Sequence, residues 1–69
     1  MSHILITVNG KSQSIPLGAS LATVITNAQL AAEAVATAVN GEFVPRNDRA
    51  SRELLDGDAI FTFQAITGG

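Results

Sequence analysis

Cysteine, tryptophan and tyrosine are absent from this sequence, and phenylalanine occurs three times. The lack of cysteine excludes a disulfide framework, a thiolate nucleophile and a Cys-based metal site. No apolar run approaches the ~20 residues that a membrane-spanning helix needs. The first residues, Met1-Ser2-His3, lack the charged n-region of a signal peptide. We therefore expect a cytoplasmic protein that does not cross a membrane.

Charge is also scarce, since charged residues make up 14% of the chain and the net charge is −2. Phosphate-backbone binding needs clustered cations, and the four bases form no stripe interleaved with aromatics, so a nucleic-acid partner is disfavoured. Asp56-Gly57-Asp58 offers two carboxylates without further oxygen ligands, which is typical of a turn and not of a calcium site. We expect no bound metal, an exposed His3, and an Arg46 that is solvated or paired locally.

What the chain does contain is apolar: hydrophobic residues make up 46% of its 69 positions, which indicates one folded domain. A chain of this length buries one modest core. It has little room for an enclosed pocket of about 300 Å³ or more, the size that small-molecule sites need. We therefore expect neither an independent enzyme nor a bound cofactor.

The first half of the chain predicts a hairpin and a helix. Residues 3–8 are β-branched and apolar, Asn9-Gly10 favours a type I′ turn, and residues 11–15 form a returning strand polar enough for a sheet edge. Ser20 can cap a helix, and the apolar residues after it recur at i, i+3, i+4 and i+7, the spacing that places them on one face of a helix. Propensity alone would also allow a strand over residues 23–26, but the cap and the spacing favour the helix. The predicted face consists of Leu21, Val24, Ile25 and Ala28.

The second half predicts three strands. Small and β-branched side chains alternate with period two over residues 34–39, which is typical of a strand. Asn40-Gly41 predicts a second turn, and residues 42–44 predict a short strand that ends at Pro45. A polar connection with a helical turn follows over residues 46–55, and residues 59–66 form the last strand. This order is the α+β plan called β-grasp, in which a mixed sheet of four to five strands covers one main helix. The last strand should lie centrally beside the first.

The two sides of the last strand carry different apolar side chains. Ile60 and Thr62 face one side, whereas Phe61 and Phe63 face the other, and only one side can meet the helix. If the Ile60 side is the core, the phenylalanines form an exposed patch of the kind that binds partners, with Ala65 beside it. If it is not, the phenylalanines are core residues.

We expect a domain over residues 1–65 and a flexible tail over residues 66–69, which ends in Gly68-Gly69. Residues without Cβ can pass through a narrow channel and leave the terminal carbonyl open to attack. A free carboxylate is ionised at neutral pH and is a poor electrophile, so transfer chemistry would have to activate it first. A disordered end without a function is the alternative interpretation.

Two segments resemble the ThiS family, the small ubiquitin-like sulfur carriers of thiamine biosynthesis. They are DGDAIFTFQAITGG at residues 56–69 and VNGEFVPR at residues 39–46. The resemblance implies that a ThiF-type enzyme adenylates the Gly69 carboxylate with ATP. Sulfur from cysteine, delivered through a desulfurase persulfide, would then displace AMP and leave a thiocarboxylate on Gly69. A ThiG-type synthase would transfer this sulfur into the thiazole ring of thiamine.

The resemblance also assigns roles to the residues before Gly69. Ile66, Thr67 and Gly68 would enter the partners' active sites, while the carrier itself would supply no acid, base or nucleophile. Two related functions use the same kind of tail: the small subunit of molybdopterin synthase and a ubiquitin-like modifier of protein lysines. The first generally has prolines before its terminal glycines, where this chain has Gln64-Ala65-Ile66-Thr67. A β-grasp module that binds RNA would need a basic surface.

Overall fold

The computed structural model describes residues 2–31 and 33–64. These residues form one five-stranded sheet with the strand order β2-β1-β5-β3-β4. The elements in chain order are β1 (His3–Val8), β2 (Lys11–Pro16), α1 (Leu21–Asn27), β3 (Val35–Val39), β4 (Glu42–Val44), a 3₁₀ helix (Arg46–Ser51) and β5 (Ala59–Gln64).

The sheet is mixed because its central strand pairs differently on its two sides. β5 runs parallel to β1 and antiparallel to β3, while β1–β2 and β3–β4 are antiparallel hairpins. This arrangement confirms the predicted β-grasp fold, the central position of the last strand and the edge position of β2.

Both predicted Asn-Gly turns are present and join the strands of the two hairpins. Asn9 and Asn40 have φ values of 52° and 54°, and the glycines after them have φ values of 87° and 84°. Positive φ at both central positions defines the type I′ turn, whose twist matches that of the flanking strands. Asparagine and glycine are the residues that adopt this conformation at the lowest cost.

Helix α1 starts directly after Ser20, as the sequence predicts, and ends at Asn27. Ser20 is the N-cap, and its side chain accepts a hydrogen bond from the Thr23 backbone N–H at 3.3 Å. Ala28 was predicted on the buried face, but this prediction is wrong: Ala28 is the exposed C-cap. The helix stops there because Gln29 has φ 60°, a left-handed conformation that a right-handed helix cannot continue.

One hydrophobic cluster fills the space between α1 and the inner face of the sheet. The helix contributes three buried side chains, and the strands contribute residues that alternate with exposed ones, as period two requires. Leu54, from the connection before β5, is also fully buried. The cluster consists of Ile4, Ile6, Ile15, Leu21, Val24, Ile25, Val35, Val39, Val44, Leu54 and Ile60.

The connection predicted as polar contains a buried arginine. Arg49, in the 3₁₀ helix, is 4% exposed. Its Nε donates to the Thr37 hydroxyl at 3.1 Å and its guanidinium donates to the Val35 carbonyl at 2.6 Å. Thr37 in turn donates to the Val44 carbonyl at 3.0 Å. These bonds tie the 3₁₀ helix to β3 and β4 and satisfy polar atoms that would be costly to bury alone.

Two predicted boundaries differ from the structure or lie outside its described part. The strand predicted over residues 34–39 begins at Val35, because Ala34 is an exposed turn residue whose N–H donates to the Ala31 carbonyl at 2.9 Å. The last two residues predicted for the final strand, Ala65 and Ile66, lie outside the described residues, and so does the predicted tail over residues 66–69.

Candidate functional site

The last strand places its phenylalanines on the outer face of the sheet, opposite α1. Ile60 is fully buried, whereas Phe61 and Phe63 are 41% and 56% exposed. The cause lies in the register, because Ile60 pairs with Val8 of β1 on one side and Val39 of β3 on the other. Ile60 and Val39 are both fully buried in the core, so the alternate positions of β5 must point outward. Phe61 and Phe63 are therefore not core residues.

The third phenylalanine lies on the same face. Phe43 of β4 is 64% exposed and pairs across the hairpin with Ala38 of β3. Ala38 pairs on its other side with Phe61, and Ala36 pairs with Phe63. We call these five residues the phenylalanine face: Phe43, Phe61, Phe63, Ala36 and Ala38.

Alanine between phenylalanines leaves a shallow apolar surface. Side chains directly opposite each other in a sheet have Cβ atoms about 4.5–5.5 Å apart, so the small alanine side chains form a floor beside the rings. All three phenylalanines of the chain thus lie on one solvent-exposed face. A contiguous exposed apolar patch often marks an interaction site, whereas single exposed apolar residues are common on any protein surface.

Sequence reasoning placed Phe61 and Phe63 here as one of two alternatives but missed Phe43. The signal was present in the turn: a two-residue loop at Asn40-Gly41 pairs residue 39 with 42 and residue 38 with 43. Once Ala38 is assigned to the outer face, Phe43 must share it. Ala65, predicted as part of the same interface, lies outside the described residues.

Asn9 holds β5 from the side of β1. Its backbone N–H donates to the Ile60 carbonyl at 2.8 Å. Its side-chain oxygen accepts from the Thr62 N–H at 3.0 Å, and its side-chain nitrogen lies 2.9 Å from the Thr62 hydroxyl oxygen. The carboxamide therefore continues the hydrogen-bond ladder after β1 has turned away at Val8.

Asn40 holds the same strand from the side of β3. Its backbone N–H donates to the Ala59 carbonyl at 2.7 Å, and its side-chain oxygen accepts from the Ala59 N–H at 2.9 Å. Its side-chain nitrogen donates to the Asp58 carboxylate at 2.9 Å. Together the two asparagines hold residues 58–62 from both sides, so the strand that leads to the C-terminal residues has a fixed direction.

The turn before β5 contains two carboxylates, as the sequence predicts; Asp58 accepts a hydrogen bond within the turn, and Asp56 joins the turn to β1. Asp56 accepts from the Leu5 N–H at 2.8 Å, and Asp58 accepts from the Leu55 N–H at 2.8 Å. Within residues 2–31 and 33–64, no group of three or more His, Asp or Glu side chains is placed to hold a metal ion. His3 is exposed.

An open groove of about 300 Å³ lies along the β4 edge, next to the phenylalanine face. Arg52 and Glu42 form an ion pair across part of it at 3.3 Å. Arg46 was predicted to be solvated or paired locally, and its Nη2 lies 3.9 Å from the Glu33 Oε2. Both side chains are well exposed, so this ion pair contributes little to the stability of the fold. The groove is lined by Glu42, Phe43, Val44, Pro45, Asp48, Ser51 and Arg52.

These features define a class of protein: a ubiquitin-like β-grasp domain whose central strand leads toward the C-terminus beside an apolar outer face. No helix among the described residues is long and apolar enough to span a membrane. The comparisons with known proteins identify the family within this class.

The sequence model of the ThiS family matches residues 6–69. The crystal structure of a thiamine biosynthesis protein (ThiS) from Geobacter metallireducens superposes with a TM-score of 0.83. Its sequence is 28% identical, and the match covers 96% of this chain and 100% of that one. The comparison with curated proteins gives no match. The chain belongs to the ThiS family, and its role is that of a small sulfur carrier protein and not of a catalyst.

Proposed function

We propose that this carrier holds sulfur as a thiocarboxylate on Gly69 and donates it for the thiazole moiety of thiamine. The observation that supports this most is the family match, which extends over residues 6–69 and so includes the predicted tail. The similar protein from Geobacter metallireducens is itself described as a thiamine biosynthesis protein.

The chemistry begins with activation of a poor electrophile. A carboxylate carries its negative charge at neutral pH and resists attack, so an adenylating enzyme of the ThiF type would join the Gly69 carboxylate to AMP and release pyrophosphate from ATP. Sulfide would displace AMP directly and leave sulfur in place of one oxygen. A persulfide would instead displace AMP through its terminal sulfur to form an acyl disulfide, and a thiol would then reduce the S–S bond to release the thiocarboxylate and form a disulfide with the donor's sulfur. The ATP would be consumed in the enzyme's active site, and the carrier would hold no cofactor of its own.

In this proposal, β5 positions the C-terminal residues and the tail carries the reacting group. Asn9 and Asn40 fix β5, so the residues after Gln64 start from a defined point of the sheet. Gln64 is the last described residue, and Phe63 before it is exposed on the outer face. A partner that contacts Phe61 and Phe63 would thereby have the path of Ala65, Ile66, Thr67 and Gly68 directed into its active site.

The partners in this proposal follow from the reaction. They are a ThiF-type adenylating enzyme, a ThiG-type thiazole synthase and a cysteine desulfurase system as the sulfur donor, all in the cytoplasm. The carrier must bind the first and the second in turn because it has one Gly69.

Deletion of Gly69 tests the proposal, because it removes the reacting carboxylate from its position without touching the described fold. We expect the shortened protein to lose pyrophosphate release by the adenylating enzyme and thiazole formation by the synthase. Its thermal unfolding should match that of the full chain, since every core residue is kept.

Thiazole formation at an unchanged rate by the shortened protein would contradict the proposal. The two alternative functions give different results with the full chain. Isopeptide adducts on lysines in cells would indicate a protein modifier, and sulfur transfer only with the large subunit of molybdopterin synthase would indicate the other cofactor pathway.

A further inference from the structure

The dipeptide Asn-Gly occurs twice, at Asn9-Gly10 and Asn40-Gly41, and it has a covalent chemistry of its own. The glycine nitrogen can lose its proton and bond to Cγ of the asparagine, because glycine has no Cβ to hinder the approach. The bond between Cγ and Nδ2 then breaks, and ammonia leaves a cyclic succinimide. Water opens this ring to give aspartate or isoaspartate, so the reaction consumes nothing except water.

The two dipeptides are matched in conformation and exposure. Asn9 and Asn40 have φ values of 52° and 54°, and the glycines that follow have φ values of 87° and 84°. All four residues are exposed, and each pair joins an antiparallel hairpin. A difference between their reaction rates in the folded chain must therefore come from the groups that surround each carboxamide.

We propose that Asn9 is a site of spontaneous deamidation in the folded protein and that Asn40 is protected from the same reaction. This inference goes beyond the proposed function, because it involves neither Gly69 nor a partner enzyme. It assigns a covalent modification to the turn that holds β5 at Thr62.

The first argument is that strong bonds hold the Asn40 carboxamide. Its Nδ2 donates to the Asp58 carboxylate at 2.9 Å, and its Oδ1 accepts from the Ala59 N–H at 2.9 Å. A hydrogen bond to an ionised group is stronger than one between neutral groups. Asp58 is 8% exposed and also accepts from the Leu55 N–H at 2.8 Å, which keeps it in place. These bonds must break before Cγ can turn toward the nitrogen of Gly41.

The second argument is that the Asn9 carboxamide has weaker partners. Both of its side-chain bonds go to Thr62: Oδ1 accepts from the backbone N–H at 3.0 Å, and Nδ2 lies 2.9 Å from the hydroxyl oxygen. All of these groups are neutral, Thr62 is half-buried, and its hydroxyl can rotate toward water. Exposed bonds open locally at a low free energy. The Asn9 carboxamide is therefore released more often than that of Asn40.

The third argument is the charge that develops during the reaction. Addition of the glycine nitrogen to Cγ places a negative charge on Oδ1. At Asn40 this charge would form close to the Asp58 carboxylate, and like charges repel at short distance. The hydrogen-bond partner of Asn9 is the neutral Thr62, which adds no such repulsion. Charge and hydrogen bonding thus favour reaction at the same asparagine.

The two products at Asn9 differ in their effect on the fold. Aspartate keeps an oxygen that can accept from the Thr62 N–H, whereas isoaspartate adds a methylene group to the backbone of the turn. The length of a hairpin loop fixes the register of its strands. The longer turn would disturb the pairing of Val8 with Lys11, so we expect the isoaspartyl form to unfold at a lower temperature.

Incubation of the full chain at neutral pH, with and without denaturant, tests the inference. Deamidation adds the mass difference between a carboxylic acid and a carboxamide, and fragmentation assigns it to Asn9 or Asn40. In the folded protein we expect Asn9 to react at least about fivefold faster, as the difference between neutral and charge-assisted hydrogen bonds implies. In denaturant both carboxamides are free, so the two rates should lie closer together.

The ratio of the two rates decides the outcome, because the denatured chain measures the effect of the neighbouring sequence alone. A ratio in the folded protein no larger than that in denaturant would overturn the inference. So would a folded protein in which Asn9 stays unchanged while the denatured chain converts.

Asp58→Asn is the matched variant, because it keeps an oxygen that can accept from Asn40 but removes the negative charge. It should raise the rate at Asn40 and leave the rate at Asn9 unchanged. An unchanged rate at Asn40, or an equal rise at both asparagines, would contradict the role assigned to the carboxylate. Thr62→Val removes the hydroxyl beside Asn9 and should raise the rate at Asn9 alone.

Discussion

Two asparagines stabilise the central strand in addition to forming the turns. Asn9 and Asn40 each adopt a left-handed conformation and each use a carboxamide in place of a peptide group to bond β5. A carboxamide offers the same donor and acceptor as the backbone, so it can extend a ladder where the chain itself turns away. The central strand is held by these groups at both borders.

Replacing each asparagine by aspartate separates the two sites. Asn40→Asp puts a carboxylate where the side-chain nitrogen now donates to Asp58 at 2.9 Å, so a hydrogen bond becomes a repulsion. Loss of a bond to a charged group costs about 1.5–3 kcal/mol, and we expect at least that decrease in the free energy of unfolding.

Asn9→Asp is the control for this change. Its partner is the Thr62 hydroxyl, which can rotate and donate to a carboxylate, so the loss should be much smaller. Chemical denaturation of both variants measures the difference. Equal destabilisation by the two substitutions would show that Asp58 does not determine the effect.

The turns were predictable from sequence at this scale, but the side-chain bonds were not. Asn-Gly specifies the local conformation of two residues. The partners of the carboxamides, Thr62 and Asp58, are 53 and 18 positions away in the chain, and only the assembled sheet brings them together. Arg49 was missed for the same reason, because its acceptors on β3 are more than ten residues away.

Among the elements, α1 depends on its N-cap and on its buried face. It has seven residues, too few for a stable isolated helix, so it relies on burial of Leu21, Val24 and Ile25 and on its cap. Ser20 supplies the cap, and its backbone also joins the helix to the rest of the fold through a bridge with Glu53.

Ser20→Ala should lower the free energy of unfolding by about 0.5–2 kcal/mol, the usual effect of losing an N-cap side chain. In a domain of this size the melting temperature would fall by several degrees, at about 4–8 °C per kcal/mol. Ser12→Ala, on the exposed edge strand β2, is the matched control and should stay within about 0.5 kcal/mol. A similar effect of both substitutions on thermal unfolding would contradict the role of the cap.

The sequence predicted the types of most elements, but it did not predict the end of α1 or which side of β5 is buried. Alternation and turn signals predicted all five strands, and the cap with its spacing predicted α1. The end of α1 was not predictable because Ala28 fits an apolar face as well as a C-cap. The buried side of β5 was also open, since Ile60 and Phe61 are both apolar and only pairing with Val39 decides between them.

At the scale of the whole molecule, the fold works as a platform that holds one strand. β5 lies between two hairpins, is bonded on both sides and leads toward the C-terminal residues. The outer face beside it presents the three phenylalanines, and the opposite face is covered by α1 and the core. In the proposed function, β5 would be the fixed base for the residue that reacts, and the outer face would be the surface by which partners recognise the chain.

The central claim is that sulfur is carried on Gly69, and intact-mass measurement tests it most directly. The full chain is incubated with ATP, a ThiF-type adenylating enzyme and a sulfur donor, and the chain without Gly69 is treated in the same way. We predict that the full chain gains the mass difference between sulfur and oxygen, located by fragmentation to its last residue, and that the shortened chain does not change. An unchanged mass of the full chain in the presence of an enzyme that activates another member of the family would contradict the account.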